Sequence, residues 1–232
     1  MNINFKSIKN ITEYMPSDLA TLYITSSKDV ADYLRTHNEA VCISLLSLDE
    51  LSKFPDYKYF IMDGESNLGH LEKIYCHLMD LPFSIGSFDN FLIREEKADD
   101  LEAIYRLYSD SDSMRFLEPL PAIDSFDHKD RYKSVKDGYM LYEYGMWVIE
   151  STLSHEIIGR VGFEYVDEFT VSIGYVIDRN ERKKGYAKKA CLSALKYLKD
   201  VCPELSVVAK CHKNNIASLK LLKDLNIPTQ IF

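Results

Sequence analysis

Hydrophobic and polar positions change rhythm along this chain, and each change marks an element. Residues 170–178 are dense in β-branched and aromatic side chains (Val171, Ile173, Tyr175, Val176, Ile177), which predicts a strand. Ala187, Ala190, Cys191, Ala194, Leu195 and Leu198 then fall at three- and four-residue spacings, the apolar face of a helix. Near the start of the chain, apolar runs at 19–25, 40–47 and 57–62 predict three strands. Two helices separate and follow them. One is capped by Ser26 or Ser27 and turns Val30, Ala31 and Leu34 inward; the other spans 68–81 and turns in Leu71, Ile74, Tyr75 and Leu78. Strands alternating with helices predict a small parallel α/β unit over residues 1–88.

Residues 82–90 read as a linker or connecting strand, and a second pattern follows. It comprises a strand at 91–94 and a helix capped by Asp99 or Asp100 that carries Leu101, Ile104, Leu107 and Tyr108. A loop at 111–122 leads to a helix at 128–142, with Tyr132, Val135 and Tyr139 on one face. Strands at 144–150 and 156–165 and a hairpin at 166–169 precede the 170–178 strand. Pro203 breaks the long helix, 205–211 is a strand, and Asn215 opens a last helix that ends at Leu225-Asn226. One short strand fits before Phe232.

Composition narrows the class. A chain of 232 residues holds one large or two small domains, and 46% hydrophobic with 28% charged residues is ordinary for a globular protein. No apolar run approaches the ~20 residues of a membrane span, and the first residues lack a signal-peptide pattern, so a cytoplasmic protein with no membrane partner is expected. Five cysteines without a Cys-x-x-Cys pair read as reduced thiols, with neither a disulfide frame nor a metal site. Asp63, Glu65 and His70 read as a turn with solvated charges. A net charge of −8 argues against nucleic acid as a partner.

Against that acidic background, residues 179–199 hold eight Lys or Arg and one acid, Glu181. Gly185 lets backbone approach a ligand where a Cβ would intrude, and Ala187 keeps a nearby position small. A helix N-terminus receives anions. Basic charge there opposes the helix dipole, a mild cost that makes sense where a polyphosphate sits.

Arg182-x-x-Gly185-x-Ala187, following Ile173-Gly174-Tyr175, resembles the acetyl-CoA site of the GNAT superfamily of acyltransferases. Asn215-x-x-Ser218 before an apolar helix resembles the second GNAT signature, and Phe91-Leu-Ile-Arg94 resembles the family's opening strand. The resemblance covers about residues 90–232, nearest the branch that acetylates N-termini of ribosomal proteins. It implies a mixed, mostly antiparallel α+β sheet with flanking helices over 89–232, preceded by the small α/β unit. It further implies acetyl-CoA as co-substrate, with no metal. The implied binding set is the backbone of Tyr175, Val176 and Ile177, the loop and helix start Arg182, Lys183, Lys184, Gly185, Tyr186, Ala187 and Lys188, and Asn215 with Ser218. The two helices after the opening strand would border the acceptor, a small amine or a peptide N-terminus.

Three family positions depart from this pattern. Ser172, Lys210 and Leu222 stand where relatives carry a Glu, a Glu and a Tyr that serve as base or acid. Glu164, Glu168, His212 and the tyrosines remain as candidates. Glu164 lies beside the cofactor strand, and His212 titrates near neutrality when unperturbed. An N-acetyltransferase working by direct amine attack is the leading expectation. A catalytically weak CoA-binding sensor is the alternative, and residues 1–88 acting as an interaction module that forms a homodimer is a third reading.

Overall fold

The computed structural model describes residues 3–16, 20–64, 67–117, 119–122 and 126–232, excluding the side chains of 113 and 126–129. Leu19 and Glu65, named above, lie outside the described residues. The chain divides into two compact units, Met1–Phe83 and Ser84–Phe232.

The first unit is a four-stranded parallel sheet in the order β1-β2-β3-β4. Its elements are β1 (Asn4–Ser7), β2 (Thr21–Thr25), α1 (Lys28–Thr36), β3 (Ala40–Leu45), β4 (Phe60–Met62) and α2 (Leu68–Leu78). Ser27 Oγ caps α1 by accepting from Val30 N–H, and Asn67 Oδ1 caps α2 by accepting from His70 N–H. α1 buries Val30, Ala31 and Leu34 with Tyr23, Val41, Ile43 and Leu45. α2 buries Leu71, Ile74 and Tyr75 with Leu22, Cys42 and Ile61. Neighbouring strand residues thus serve opposite helices, as the period-two alternation of a strand requires. β1 escaped the apolar pattern because it is short and half-exposed. α2 stops at Leu78, three residues before its expected end, where Asp80 turns left-handed (φ 53°). Asp63 accepts from Ser44 Oγ, and no metal-binding group of His, Cys, Asp and Glu gathers among the described residues.

The second unit is a seven-stranded sheet in the order β11-β10-β9-β8-β7-β6-β5. Its strands are β5 (Ser84–Phe88), β6 (Phe91–Arg94), β7 (Met146–Ser151), β8 (Ile157–Asp167), β9 (Thr170–Ile177), β10 (Ser206–Cys211) and β11 (Thr229–Ile231). Its helices are α3 (Leu101–Ser109), α4 (Ser111–Met114), α5 (Phe126–Leu141), α6 (Tyr186–Val201) and α7 (Ile216–Asp224). β5 to β9 run antiparallel, while β9, β10 and β11 are parallel.

Two expected connections are structured. β5 is an edge strand of this sheet, with Ile85 and Phe88 against its core. The expected loop at 111–122 opens with α4, begun by Asp110, whose carboxylate and carbonyl accept from Asp112 N–H and Met114 N–H. α6 packs through Ala190, Cys191 and Ala194, all fully buried, against Trp147, Phe163 and Ile173. Burial pushes the Cys191 thiol up to about 12, so it serves as a small apolar side chain. On the opposite face α3 buries Ile104 and Leu107 against Val148, Ile157 and Val176. Gly162 is required by close backbone approach: a Cβ there would stand 2.1 Å from the Gly145 carbonyl oxygen. All five cysteines are free thiols, and no described helix is long and apolar enough to cross a membrane.

Candidate functional site

The parallel strands β9 and β10 pair over only three residues. Their register runs Thr170–Ser206, Val171–Val207 and Ser172–Val208, and then stops. β9 continues to Ile177 paired only with β8, while Ala209–Cys211 of β10 pair with β11. The sheet therefore splits into a cleft whose vertex lies at Ser172 and Val208. Asp178 N–H donates to the Ile158 carbonyl, which fixes the phase of the β8–β9 ladder. By antiparallel alternation the backbone groups of Tyr175 and Ile177 then point into the cleft, and those of Val176 point to β8. The Val176 carbonyl indeed lies 2.5 Å from where Gly159 would carry a Cβ, and its side chain is buried under α3. Val176 therefore does not offer the cleft the backbone groups expected of it. The Ile177 carbonyl is already taken by Arg182 Nε at 3.0 Å.

The open end of the cleft meets the start of α6. Lys183 (φ 64°) and Gly185 (φ 82°) are both left-handed and together turn the chain from strand to helix. No heavy atom lies within 4 Å of a Cβ built on Gly185, so conformation rather than crowding fixes a glycine there. The first helical bond is Lys189 N–H to the Gly185 carbonyl. The N–H groups of Tyr186, Ala187 and Lys188 thus have no acceptor within the helix, and they form an anion-receiving end.

Several neighbouring side chains are structural. Arg182 Nη2 binds Asp110 at 2.7 Å, Lys184 straddles both Glu181 oxygens at 3.0 and 2.9 Å, and Lys189 pairs with Asp89 at 2.5 Å. The Tyr186 ring packs on Phe91, 4.6 Å between centroids. Exposed Lys183 and Lys188 have no ion pair among the described residues.

The far wall is α7. Asn215 Oδ1 caps it by accepting from Ser218 N–H at 3.2 Å, and Ser218 Oγ lies 2.8 Å from the Tyr175 hydroxyl. Tyr175 thereby ties β9 to α7, and burial pushes its hydroxyl above the usual tyrosine range, so it stays protonated.

The two candidate bases are placed differently. Glu164 pairs with Ser172, directly across from the vertex, and is exposed. His212 lies four residues beyond Val208, about 13 Å along a strand. Its ring sits between Phe116 and Phe232 (5.6 and 5.7 Å), and its Nδ1 accepts from Asn214 N–H. Glu168 is exposed in the β8–β9 turn, and Leu222 is buried in the core.

The apolar pattern gave no sign of a buried ionic network on the α3 side. Arg94 forks onto Asp100 at 2.7 and 2.9 Å and reaches Glu150 at 2.5 Å. Burial raises the Glu150 carboxyl, but bonds from His155 and Arg94 outweigh it and hold the group below the usual carboxylate range. Glu96 accepts from Arg160 at 2.6 Å and from Arg131 at 3.0 Å. Asp100 was expected only as a cap. It does accept from Lys97 N–H, but its larger task is to neutralise Arg94.

Known proteins match this second unit. The family described as "Acetyltransferase (GNAT) domain" matches residues 90–226. An uncharacterized N-acetyltransferase of Bacillus subtilis, YnaD, is 28% identical over 142 residues, which are 61% of this chain and 81% of that one. A second, p20 of Bacillus licheniformis, is 24% identical over 140 residues, 60% and 79% of the two chains. Among solved structures, a ribosomal-protein-S5-alanine acetyltransferase from Vibrio fischeri superposes with a TM-score of 0.53 at 21% identity, covering 61% and 81%. RimL, a ribosomal L7/L12 α-N-protein acetyltransferase, gives 0.52 at 16%, covering 62% and 80%. At these identities the structures speak for the fold alone.

Proposed function

The chain belongs to the GNAT acetyltransferase family, and from that premise we propose that it transfers the acetyl group of acetyl-CoA to a primary amine within a ternary complex. The observation that carries this reading is the split between β9 and β10, whose vertex is level with an exposed carboxylate on the adjoining β8 and whose mouth meets an unpaired helix N-terminus. The residues present fit the donor. Gly185 leaves open space, and the N–H groups of Tyr186, Ala187 and Lys188 suit a diphosphate. Lys183 and Lys188 add charge, and the cleft-facing backbone of Tyr175 and Ile177 suits the amides of a pantetheine arm. Asn215 and Ser218 line the other wall, although their capping and Tyr175 bonds already occupy part of their capacity.

Chemically, an ammonium proton must leave before the nitrogen lone pair attacks the thioester carbon. The C–S bond then breaks, the nitrogen sheds its second proton to become an amide, and the leaving thiolate takes up that proton. Glu164 is the carboxylate nearest the vertex in register, and it takes the ammonium proton directly or through one water. Its exposure suits access by the amine. Acceptors in the test include small amines and free peptide N-termini, because proteins of the same fold are named as ribosomal-protein acetyltransferases, one of them as an α-N-protein acetyltransferase.

Glu164→Gln is expected to lower kcat by ~10²–10⁴-fold with CoA affinity unchanged, and higher pH should restore part of the rate. A rise in KM alone would make Glu164 a binding residue. No change in either parameter would remove it from the site. A second reading, a CoA-binding sensor, is favoured by one observation: Ser172, Lys210 and the buried Leu222 replace the family's usual acid and base groups. Tight CoA binding without thiol release on any amine would decide for it.

A further inference from the structure

α5 is held to the sheet in an unusual way. Of its residues 130–141, Tyr139 alone is buried; it belongs to the core of the second unit, and half-buried Val135 packs against the same cluster. Polar attachments supplement this apolar contact. Arg131 Nη2 donates to Glu96 Oε1, and the Tyr139 hydroxyl accepts from Glu96 N–H and donates to the Met146 carbonyl. Glu96 has no exposed side-chain surface, and its second oxygen accepts from Arg160 of β8, itself 3% exposed. Arg160 also reaches the Tyr108 hydroxyl of α3 at 3.4 Å. One carboxylate thus joins α5 to β8, Arg160 extends the link to α3, and Glu95 is buried beside it. The Nε groups of Arg131 and Arg160 are buried without an acceptor among the described residues, so each guanidinium depends on its Glu96 bond for compensation.

Strand alternation places Arg160, Gly162 and Glu164 on one face of β8. Gly162 and Gly174 pair across β8 and β9 there, and Met146 Sδ lies 3.8 Å from where Gly174 would carry a Cβ. This is the face that leads to Glu164, and α5 is linked to it through Glu96 and Arg160, while the Tyr139 hydroxyl bonds the Met146 carbonyl in the sheet.

We propose that Glu96 is a positioning residue: by gripping Arg160 of the sheet and Arg131 of α5, it seats α5 and thereby sets the affinity for the acceptor amine. The proposal rests on the N-acetyltransferase reading above. A buried ion pair contributes little net stability against a hydrophobic substitute but fixes geometry, and losing one partner leaves the other charge uncompensated.

The test uses the full chain with Arg131→Ala and Arg131→Lys, chosen because Arg131 is the least buried member of the group. Arg131→Ala is expected to speed amide hydrogen exchange of residues 130–141 by about tenfold or more while sheet protection holds. It should raise the amine KM about tenfold with kcat within about threefold, leaving CoA affinity by calorimetry unchanged, and Arg131→Lys should recover most of the KM effect. Unchanged exchange in α5 would overturn the proposal, as would faster exchange with an unchanged KM, or CoA affinity falling in step with KM. Wild-type protein that acetylates no amine would instead remove the N-acetyltransferase reading, and the exchange arm would still decide whether this pair seats α5.

Discussion

Replacing Gly185 by Asp tests the proposed donor site where the chain turns from strand to helix. Gly185 has φ 82°, a conformation that costs an L-residue about 1 kcal/mol. No atom within 4 Å opposes a new Cβ, so the cost to the fold stays near that figure, a fall in Tm of roughly 2–4 °C. The charge acts on the ligand. A carboxylate about 5 Å from one phosphate charge, at an effective dielectric of about 20, is repelled by about 3 kcal/mol. That is about a hundredfold in Kd. Gly185→Asn carries a similar backbone strain and shape without the charge, so the ratio of the two Kd values isolates the electrostatic part. Calorimetry with CoA should show Gly185→Asp about a hundredfold weaker than Gly185→Asn at low salt, with the gap narrowing as ionic strength rises. Equal affinities for the two variants, or a gap indifferent to salt, would refute the placement of the diphosphate at the α6 N-terminus.

Other outcomes follow from single contacts. Tyr175→Phe removes the 2.8 Å bond to Ser218 and should cost about 1 kcal/mol of stability by urea unfolding. CoA affinity should change less than about threefold, because only the backbone of Tyr175 is assigned to the ligand; a larger loss would mean that the hydroxyl itself touches CoA. Glu150, whose carboxyl is held below its usual range, contributes stability that is fully present above the unfolded value of about 4.3 and is lost as pH falls through the lower folded value. Glu150→Gln should therefore be less stable than wild type by about 1–3 kcal/mol at pH 7. That gap should shrink in unfolding titrations taken progressively below pH 4; a gap independent of pH would contradict the Arg94 pairing.

The strand-to-helix passage around Gly185 was legible in the sequence because its causes are local. A β-branched run, a residue that tolerates positive φ and a three-and-four apolar spacing each report backbone conformation within a few residues. The Asn215 cap, the α6 face of Ala190, Cys191 and Ala194, and the α/β alternation of the first unit were readable for the same reason. Pairing was not. Whether β9 and β10 stay together past Ser172 depends on register between strands joined by a whole helix, and only the folded sheet shows that they part. That parting selects Tyr175 and Ile177 over Val176, a choice that composition leaves open. The ionic groups were equally hidden. Arg182 meets Asp110 across 72 residues, Glu96 meets Arg131 across 35 and Arg160 across 64, and each residue alone reads as surface charge. Local pattern determines what each segment becomes; which buried charge answers which is settled by distances that exist only once the segments are packed.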